Sequence, residues 1–163
     1  MATTRQATSA DLPFMVHILR LVAGGSAGPL PLDECRAHPV FSRYIDSWTP
    51  RQLGLICLDD HRALGAAWLV TMPADRPGRG FVAPGIPELV LGIIPDAQRR
   101  GHGSYLLSCL LAGARSHALT SMSAAVPLGD DVALTLLQDA GFSPVSTRDG
   151  QNVLLWAALS ARA

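Results

Sequence analysis

Apolar and polar positions alternate along this chain with two different periods. Leu12, Met15, Val16 and Leu19 fall on one face at helical spacing, so Asp11 to Val22 reads as a helix. Leu32 to Trp48 carries a second helical pattern, with Cys35, Val40, Phe41, Tyr44 and Ile45 among its apolar residues and a break at Pro39. Gln52 to Leu58 and Ala63 to Met72 are strand-like runs joined across Asp59-Asp60-His61-Arg62, the signature of a hairpin. Glu88 to Ile94 is almost continuously apolar, as expected of a central strand covered on both faces. Gly103 to His117 returns to helical spacing through Leu106, Leu107, Leu110, Leu111 and Ala114.

Thr4 to Ala7 reads as a short first strand, and Thr120 to Val126 as a later one. Asp130 to Ala140 reads as a helix stopped by Gly141. The last pair, Pro144 to Thr147 and Asn152 to Ala158, reads as a hairpin turned by Asp149-Gly150. Ala23 to Pro31 and Pro73 to Pro87 are rich in Gly and Pro and are expected to be loops. The second is long for a compact domain, and such loops are often functional. The order β-α-α-β-β-β-α-β-α-β-β describes an α/β protein with a mixed sheet.

Composition narrows the function. At 163 residues the chain fits one domain, spanning 1–163, that can bury a core without staples. A formal net charge of zero offers no broad surface for nucleic acid or anionic lipid. All 13 basic residues are arginine, which is read as the genomic bias of a GC-rich bacterium and not as chemistry. Cys35, Cys57 and Cys109 have no CxxC spacing, and His17, His38, His61, His102 and His117 have no metal-ligand spacing. No metal is therefore expected, and Cys109 is read as a core residue of its helix. Trp48, Trp68 and Trp156 are read as core or pocket wall rather than a stacking platform. The polar N-terminus and the lack of a long apolar run point to a soluble, cytoplasmic setting.

One segment carries chemistry. Gln98-Arg99-Arg100-Gly101-His102-Gly103 fits [QR]xxGx[GA] and opens directly into a helix. A helix N-terminus presents unpaired N–H groups and a partial positive charge, and glycines let the backbone approach a bulky anion. Hydrogen bonds to a charged acceptor contribute about 1.5–3 kcal/mol each, so three or four hold a diphosphate at micromolar affinity. The pattern is short, and Arg62-Ala63-Leu64-Gly65-Ala66-Ala67 matches it too, inside a strand. The competing reading of the first copy is a plain strand-helix turn. No GK[ST] follows, so it is not a Walker-type loop.

The stretch Glu88 to Leu107, with its strand, Ile94-Pro95, Gln98-to-Gly103 loop and helix, resembles the core motif of the GNAT N-acetyltransferases. Asp130 to Phe142 is similar to the N-x-x-A-x-x-L-Y-x-x-x-G-F helix of that family. The resemblance implies a GNAT fold, with splayed strands in a mixed sheet flanked by helices, and acetyl-CoA as co-substrate. It implies that the strand before the loop carries a bulge; Gly92, inside that strand, independently suggests a bulge or a close backbone approach. Leu91 and Ile93 would pair with the pantetheine amides through their backbone. Gln98, Arg99, Arg100, Gly101, His102, Gly103 and Ser104 would surround the pyrophosphate, with His102 otherwise facing solvent. Asp130 would either touch the cofactor or simply cap its helix.

An acetyl group would pass directly to a primary amine of a small molecule or peptide. An alkyl amine is only about one part in 2,500 neutral at pH 7, so a base is needed. Glu88 is the candidate; the alternatives are a salt-bridged strand-end residue in its place and a water chain as the base. Leu137 stands where the family has a proton-donating Tyr, leaving Tyr44, Ser143 or water to protonate the thiolate. That departure also opens a second reading, a non-catalytic CoA-binding module; a third is a phosphate-binding α/β domain outside the family. The acceptor site is expected between Ala23 to Trp48 and the Pro73 to Pro87 loop. Family analogy also implies a weak homodimer, which the sequence itself does not show.

Overall fold

A computed structural model describes residues 1–158. Residues 159–163, included in the expected domain, lie outside the described residues. Strand β1 (Ala2–Gln6) leads through a short turn into α1 (Leu12–Gly24). That turn is tied by a reciprocal capping box between Thr8 and Asp11, and the Asp11 carboxylate takes both nitrogens of Arg5 at 2.7 and 2.8 Å. The second helical pattern splits where Pro39 predicts, into α2 (Leu32–Ala37) and α3 (Arg43–Asp46). His38 Nδ1 accepts from the backbone N–H groups of Val40 and Phe41, both at 3.1 Å, and so fixes the turn between them.

The hairpin β2 (Gly54–Asp59) and β3 (Arg62–Val70) turns at Asp60 and His61, both with positive φ. β4 (Glu88–Ile93) follows the long loop, then α4 (His102–Ser116), β5 (Ser121–Pro127), α5 (Asp131–Asp139), β6 (Ser143–Arg148) and β7 (Gln151–Ala157). The Arg62-to-Ala67 copy of the glycine pattern lies in β3, as expected. Gly65 is small there because a Cβ would sit 2.4 Å from Ile93 Cδ1.

Among the described residues the sheet has seven strands in the order β1-β2-β3-β4-β5-β7-β6. β4 and β5 are parallel and every other neighbouring pair is antiparallel. α1 covers one face and the start of α4 meets the other: a Cβ on Gly92 would touch Ile18 and Val22, while Ile93 reaches Gly103. Apolar side chains from all three layers merge into one core around Trp68, Met15, Ile18, Ile56, Leu106 and Leu110. The five apolar residues predicted for α4 are all buried.

Two expectations need correction. The β3/β4 register runs from Val70↔Glu88 to Gly65↔Ile93 without a shift, so β4 has no bulge against β3. Gly92 is a glycine because α1 lies against it: a Cβ would stand 2.8 Å from Ile18 Cγ2 and 2.9 Å from Val22 Cγ2. Cys109 is half-buried beside Tyr105 and stands outside the core, on the flank of α4.

Candidate functional site

β4 is bonded to β3 along its whole length, and β5 to β7 along its whole length. Between β4 and β5, only Glu88 and Ser123 pair. A last bond from Ser123 N–H to the Pro87 carbonyl, 2.9 Å long, closes the vertex of a V. Beyond it the strands separate and enclose a cleft of about 590 Å³ that reaches from Glu88, Tyr44 and Arg79 to Gly101, Gly103 and Ser104. Glu88 and Ile93 stand about 17 Å apart at about 3.3 Å per strand residue. The cleft is long enough for an extended chain.

Backbone alternation decides which groups face it. Ile94 N–H donates across to Leu64 of the β3 side, while the Pro87 carbonyl bonds β5. Residues of odd number in β4, Leu89, Leu91 and Ile93, therefore turn their N–H and C=O groups toward the departed β5. The Ile93 carbonyl is taken by the Gln98 side-chain amide at 2.9 Å. Gln98 thus braces the strand end while also lining the cleft. Leu91 keeps both groups and Ile93 its N–H for a ligand in the slot.

At the far end the chain turns into α4 through Arg99 and Gly101, both left-handed, with φ of 62° and 82°. No side chain caps this helix, and its first internal bond is Tyr105 N–H to the Gly101 carbonyl. The N–H groups of His102, Gly103 and Ser104 are therefore free at the positive end of a 15-residue helix. Arg99, Gly101, Gly103 and Ser104 line the cleft. Arg100 and His102 do not: Arg100 is exposed and His102 half-buried.

The near end holds the expected base. Glu88 is 2% exposed, on the α1 face of β4. Its Oε1 accepts from Gly80 N–H at 2.6 Å and from Tyr44 Oη at 3.2 Å. Oε2 has no partner among the described residues, and the backbone of Gly78 covers it so closely that a Cβ there would stand 2.0 Å away. Burial pushes the Glu88 carboxyl above the usual carboxylate range, against the pull of the Gly80 and Tyr44 hydrogen bonds and the charge of Arg148. Burial, and then the charge of Glu88, also raises Tyr44, which stays a phenol and a donor. Tyr44 is held in turn by Trp68 Nε1–H on its carbonyl (2.9 Å) and by Arg79 N–H on its hydroxyl (2.7 Å).

The remaining candidates separate cleanly. Asp130 Oδ1 caps α5 through Ala133 N–H at 3.1 Å, the simpler of its two expected roles. Leu137 is buried in the cleft wall and offers no proton. Ser143 lies on the exposed edge strand β6, outside the cleft, whereas Tyr44 is inside it. The Tyr44–Glu88 contact and the Gly78-Arg79-Gly80 cover were not legible in sequence; a Gly-x-Gly in the long loop was the only trace. Among the described residues no group of three His, Cys, Asp or Glu could hold a metal ion. No described helix is long and apolar enough to cross a membrane.

No family profile and no curated protein matches the sequence. Solved structures do match, over nearly the full length of both partners. Ribosomal-protein-alanine N-acetyltransferase from Brucella melitensis superposes with a TM-score of 0.67 at 19% identity, covering 96% of this chain and 99% of its own. A putative acetyltransferase from Salmonella typhimurium, solved with its cofactor acetyl-CoA, gives 0.68 at 19% identity, with 99% and 96% covered. The GNAT domain of S. lividans PAT gives 0.68 at 19% identity, with 96% and 90% covered. With its split sheet, its glycine turn into α4 and these likenesses together, the chain has the GNAT N-acetyltransferase fold.

Proposed function

We propose that the protein is an N-acetyltransferase that moves the acetyl group of acetyl-CoA directly onto a primary amine of a small molecule or peptide. The observation that carries this reading is the single Glu88↔Ser123 pair, which leaves the Leu91 edge open between a cluster of free helix N–H groups and a buried carboxylate. An open strand edge fits a pantetheine arm, whose amides add to it as a strand would. The N–H groups of His102, Gly103 and Ser104 fit a diphosphate, with the left-handed turns at Arg99 and Gly101 aiming them inward.

Acetyl-CoA supplies an acetyl group activated as a thioester. The acceptor loses its ammonium proton to Glu88 Oε2 once its binding displaces Gly78. The amine nitrogen then bonds the acetyl carbon and loses its second proton to solvent as the C–S bond breaks, and the thiolate takes a proton. Tyr44 is the phenol inside the cleft that stands in for the family donor replaced by Leu137, and its bond to Glu88 carries the proton back. A thiolate, with a pKa near 8.5, leaves acceptably even where that transfer is slow. A cytoplasmic location and a weak homodimer belong to the same reading.

A second reading, a CoA-binding module without catalysis, is favoured by one observation: the buried Leu137 leaves its position on α5 with no proton donor. Incubation of the purified protein with acetyl-CoA and a panel of primary amines, followed by thiol release, separates the two. Amine-dependent release supports the enzyme. CoA binding with no release supports the module, and no CoA binding overturns both.

A further inference from the structure

The acceptor end of the cleft holds one more formal charge. Arg79 lies between Gly78 and Gly80 in the segment that covers Glu88, and it lines the cleft beside Leu19, Val22, Phe41 and Tyr44. Its guanidinium carbon stands 5.0 Å from the centroid of the Phe41 ring. Phe41 is itself fixed by its N–H bond to His38 Nδ1, with the two rings 4.5 Å apart.

Two arginines that reach this segment from elsewhere are occupied: Arg43 bonds the Pro77 carbonyl at 2.9 Å, and Arg148 bonds the Phe81 carbonyl. Arg76, the segment's other arginine, is exposed and does not line the cleft. The side-chain ion pairs among the described residues are Arg5–Asp11 and Arg62–Asp96. Glu88 gives its bonded oxygen to Gly80 and Tyr44, and Asp130 is committed to capping α5. Arg79 therefore presents to the cleft a guanidinium that is in no ion pair among the described residues, beside the apolar walls of Leu19, Val22 and Phe41 and in the same cleft as Glu88. It also sits at the Glu88 end, about 17 Å along β4 from the phosphate turn, too far to serve there.

Resting on the acetyltransferase reading, we propose that the acceptor is a free apolar amino acid whose carboxylate docks on Arg79 while its amine faces Glu88. A guanidinium offers a carboxylate two parallel N–H donors, and a ring beneath it restricts the plane of that fork. The apolar walls suit an aliphatic or aromatic side chain. A polyamine or a cationic antibiotic would meet Arg79 as a like charge.

The test compares leucine with isoamylamine, leucinamide and leucyl-glycine as acceptors, using wild type and Arg79→Met. Leucine is expected to exceed each of the other three about 10–100-fold in kcat/KM, the worth of one charge-assisted contact. Leucinamide has the less basic amine, so this order cannot arise from easier deprotonation. Arg79→Met should raise KM for leucine and collapse the leucine-to-isoamylamine ratio. Equal use of isoamylamine or leucyl-glycine, or an unchanged ratio in the variant, overturns the proposal. Calorimetry with N-acetyl-leucine in the presence of CoA reads the site without turnover. Binding weakened about tenfold or more by Arg79→Met supports it even where no amine is acetylated; no binding to wild type overturns it. Loss of CoA binding itself would overturn the wider reading and not this one.

Discussion

Tyr44 Oη and Glu88 Oε1 lie 3.2 Å apart, a buried hydrogen bond between α3 and the first residue of β4. It joins the acceptor-side helices to the strand that would hold the acyl donor. Tyr44→Phe should therefore act on both stability and rate. It strips Glu88 of a donor that lowers its pKa and leaves Arg79 N–H without an acceptor. The expected cost is about 1–3 kcal/mol in denaturant unfolding. The acid limb of the rate profile should move to higher pH; an unmoved limb would separate Tyr44 from the base.

Glu88→Gln tests the base itself. At pH 7 the rate should fall about 100-fold or more, the usual scale of general-base catalysis. The loss should shrink at pH above 9, where the amine deprotonates unaided. Stability should move oppositely. Because burial raises the folded pKa of Glu88, its contribution is fully present below the unfolded carboxyl pKa and is lost as pH rises through the folded value. The variant should thus gain in melting temperature relative to wild type between pH 4 and pH 8. A pH-independent difference would contradict the buried carboxylate.

Much of this site could be read in the chain because it is local. Gln98 to Gly103, the helix behind it and the Gly141-Phe142 end each fall within one short window, where spacing alone carries the information. The Asp149-Gly150 turn was legible for the same reason, since only such residues accept its φ values of 50° and 75°. The near end was not. Tyr44 and Glu88 are separated by 44 residues, and Gly78 and Gly80 by the loop that returns between them. Glu88 and the two flanking segments were named separately, yet no pattern showed them in contact. Gly92 left two readings open, because a glycine inside a strand serves a bulge and a close approach equally well; α1 decided for the second. The Gln98 brace on the Ile93 carbonyl was not legible either, because a motif does not say which backbone group a side chain holds.

Gly101→Asp tests the phosphate turn. A Cβ at Gly101 meets nothing within 4 Å, so space does not forbid the change. The left-handed φ of 82° costs about 1–2 kcal/mol for a non-glycine residue, and less for Asp. The fold should therefore survive while a new carboxylate occupies the place of the diphosphate. Calorimetry should show CoA affinity reduced at least about 100-fold, as expected where two charge-assisted bonds are lost, with the circular dichroism spectrum unchanged. Retained affinity would remove the turn from the binding site.

Arg5 and Asp11 supply a control far from the chemistry. The bond from Arg5 holds the Asp11 carboxyl below its usual range, helped by Thr8 and opposed by partial burial. A depressed folded pKa means stability that is present above the unfolded pKa and lost as pH falls through the folded one. Asp11→Asn should cost about 1 kcal/mol at pH 7, the scale of one helix cap with a partly screened ion pair. That cost should shrink as pH falls through the folded pKa of Asp11, with kcat and CoA affinity untouched throughout.

Gly78→Ala separates acceptor chemistry from cofactor binding within one cleft. The added methyl would stand 2.0 Å from Glu88 Oε2 and 2.6 Å from Tyr44 Oη, both of them ends of side chains and not backbone. The conflict is therefore relieved by turning the carboxylate and the phenol aside, at modest cost in stability. Their mutual hydrogen bond breaks, and Oε2 no longer faces the acceptor. The Gly101 turn, about 17 Å away along β4, is left as it was. Steady-state kinetics should show kcat reduced at least about tenfold, the lower range of a displaced general base, with an unchanged CoA dissociation constant. A variant that loses CoA affinity in step with rate would mean that the two ends of the cleft are coupled, and the division of labour drawn between Glu88 and the α4 N-terminus would fail.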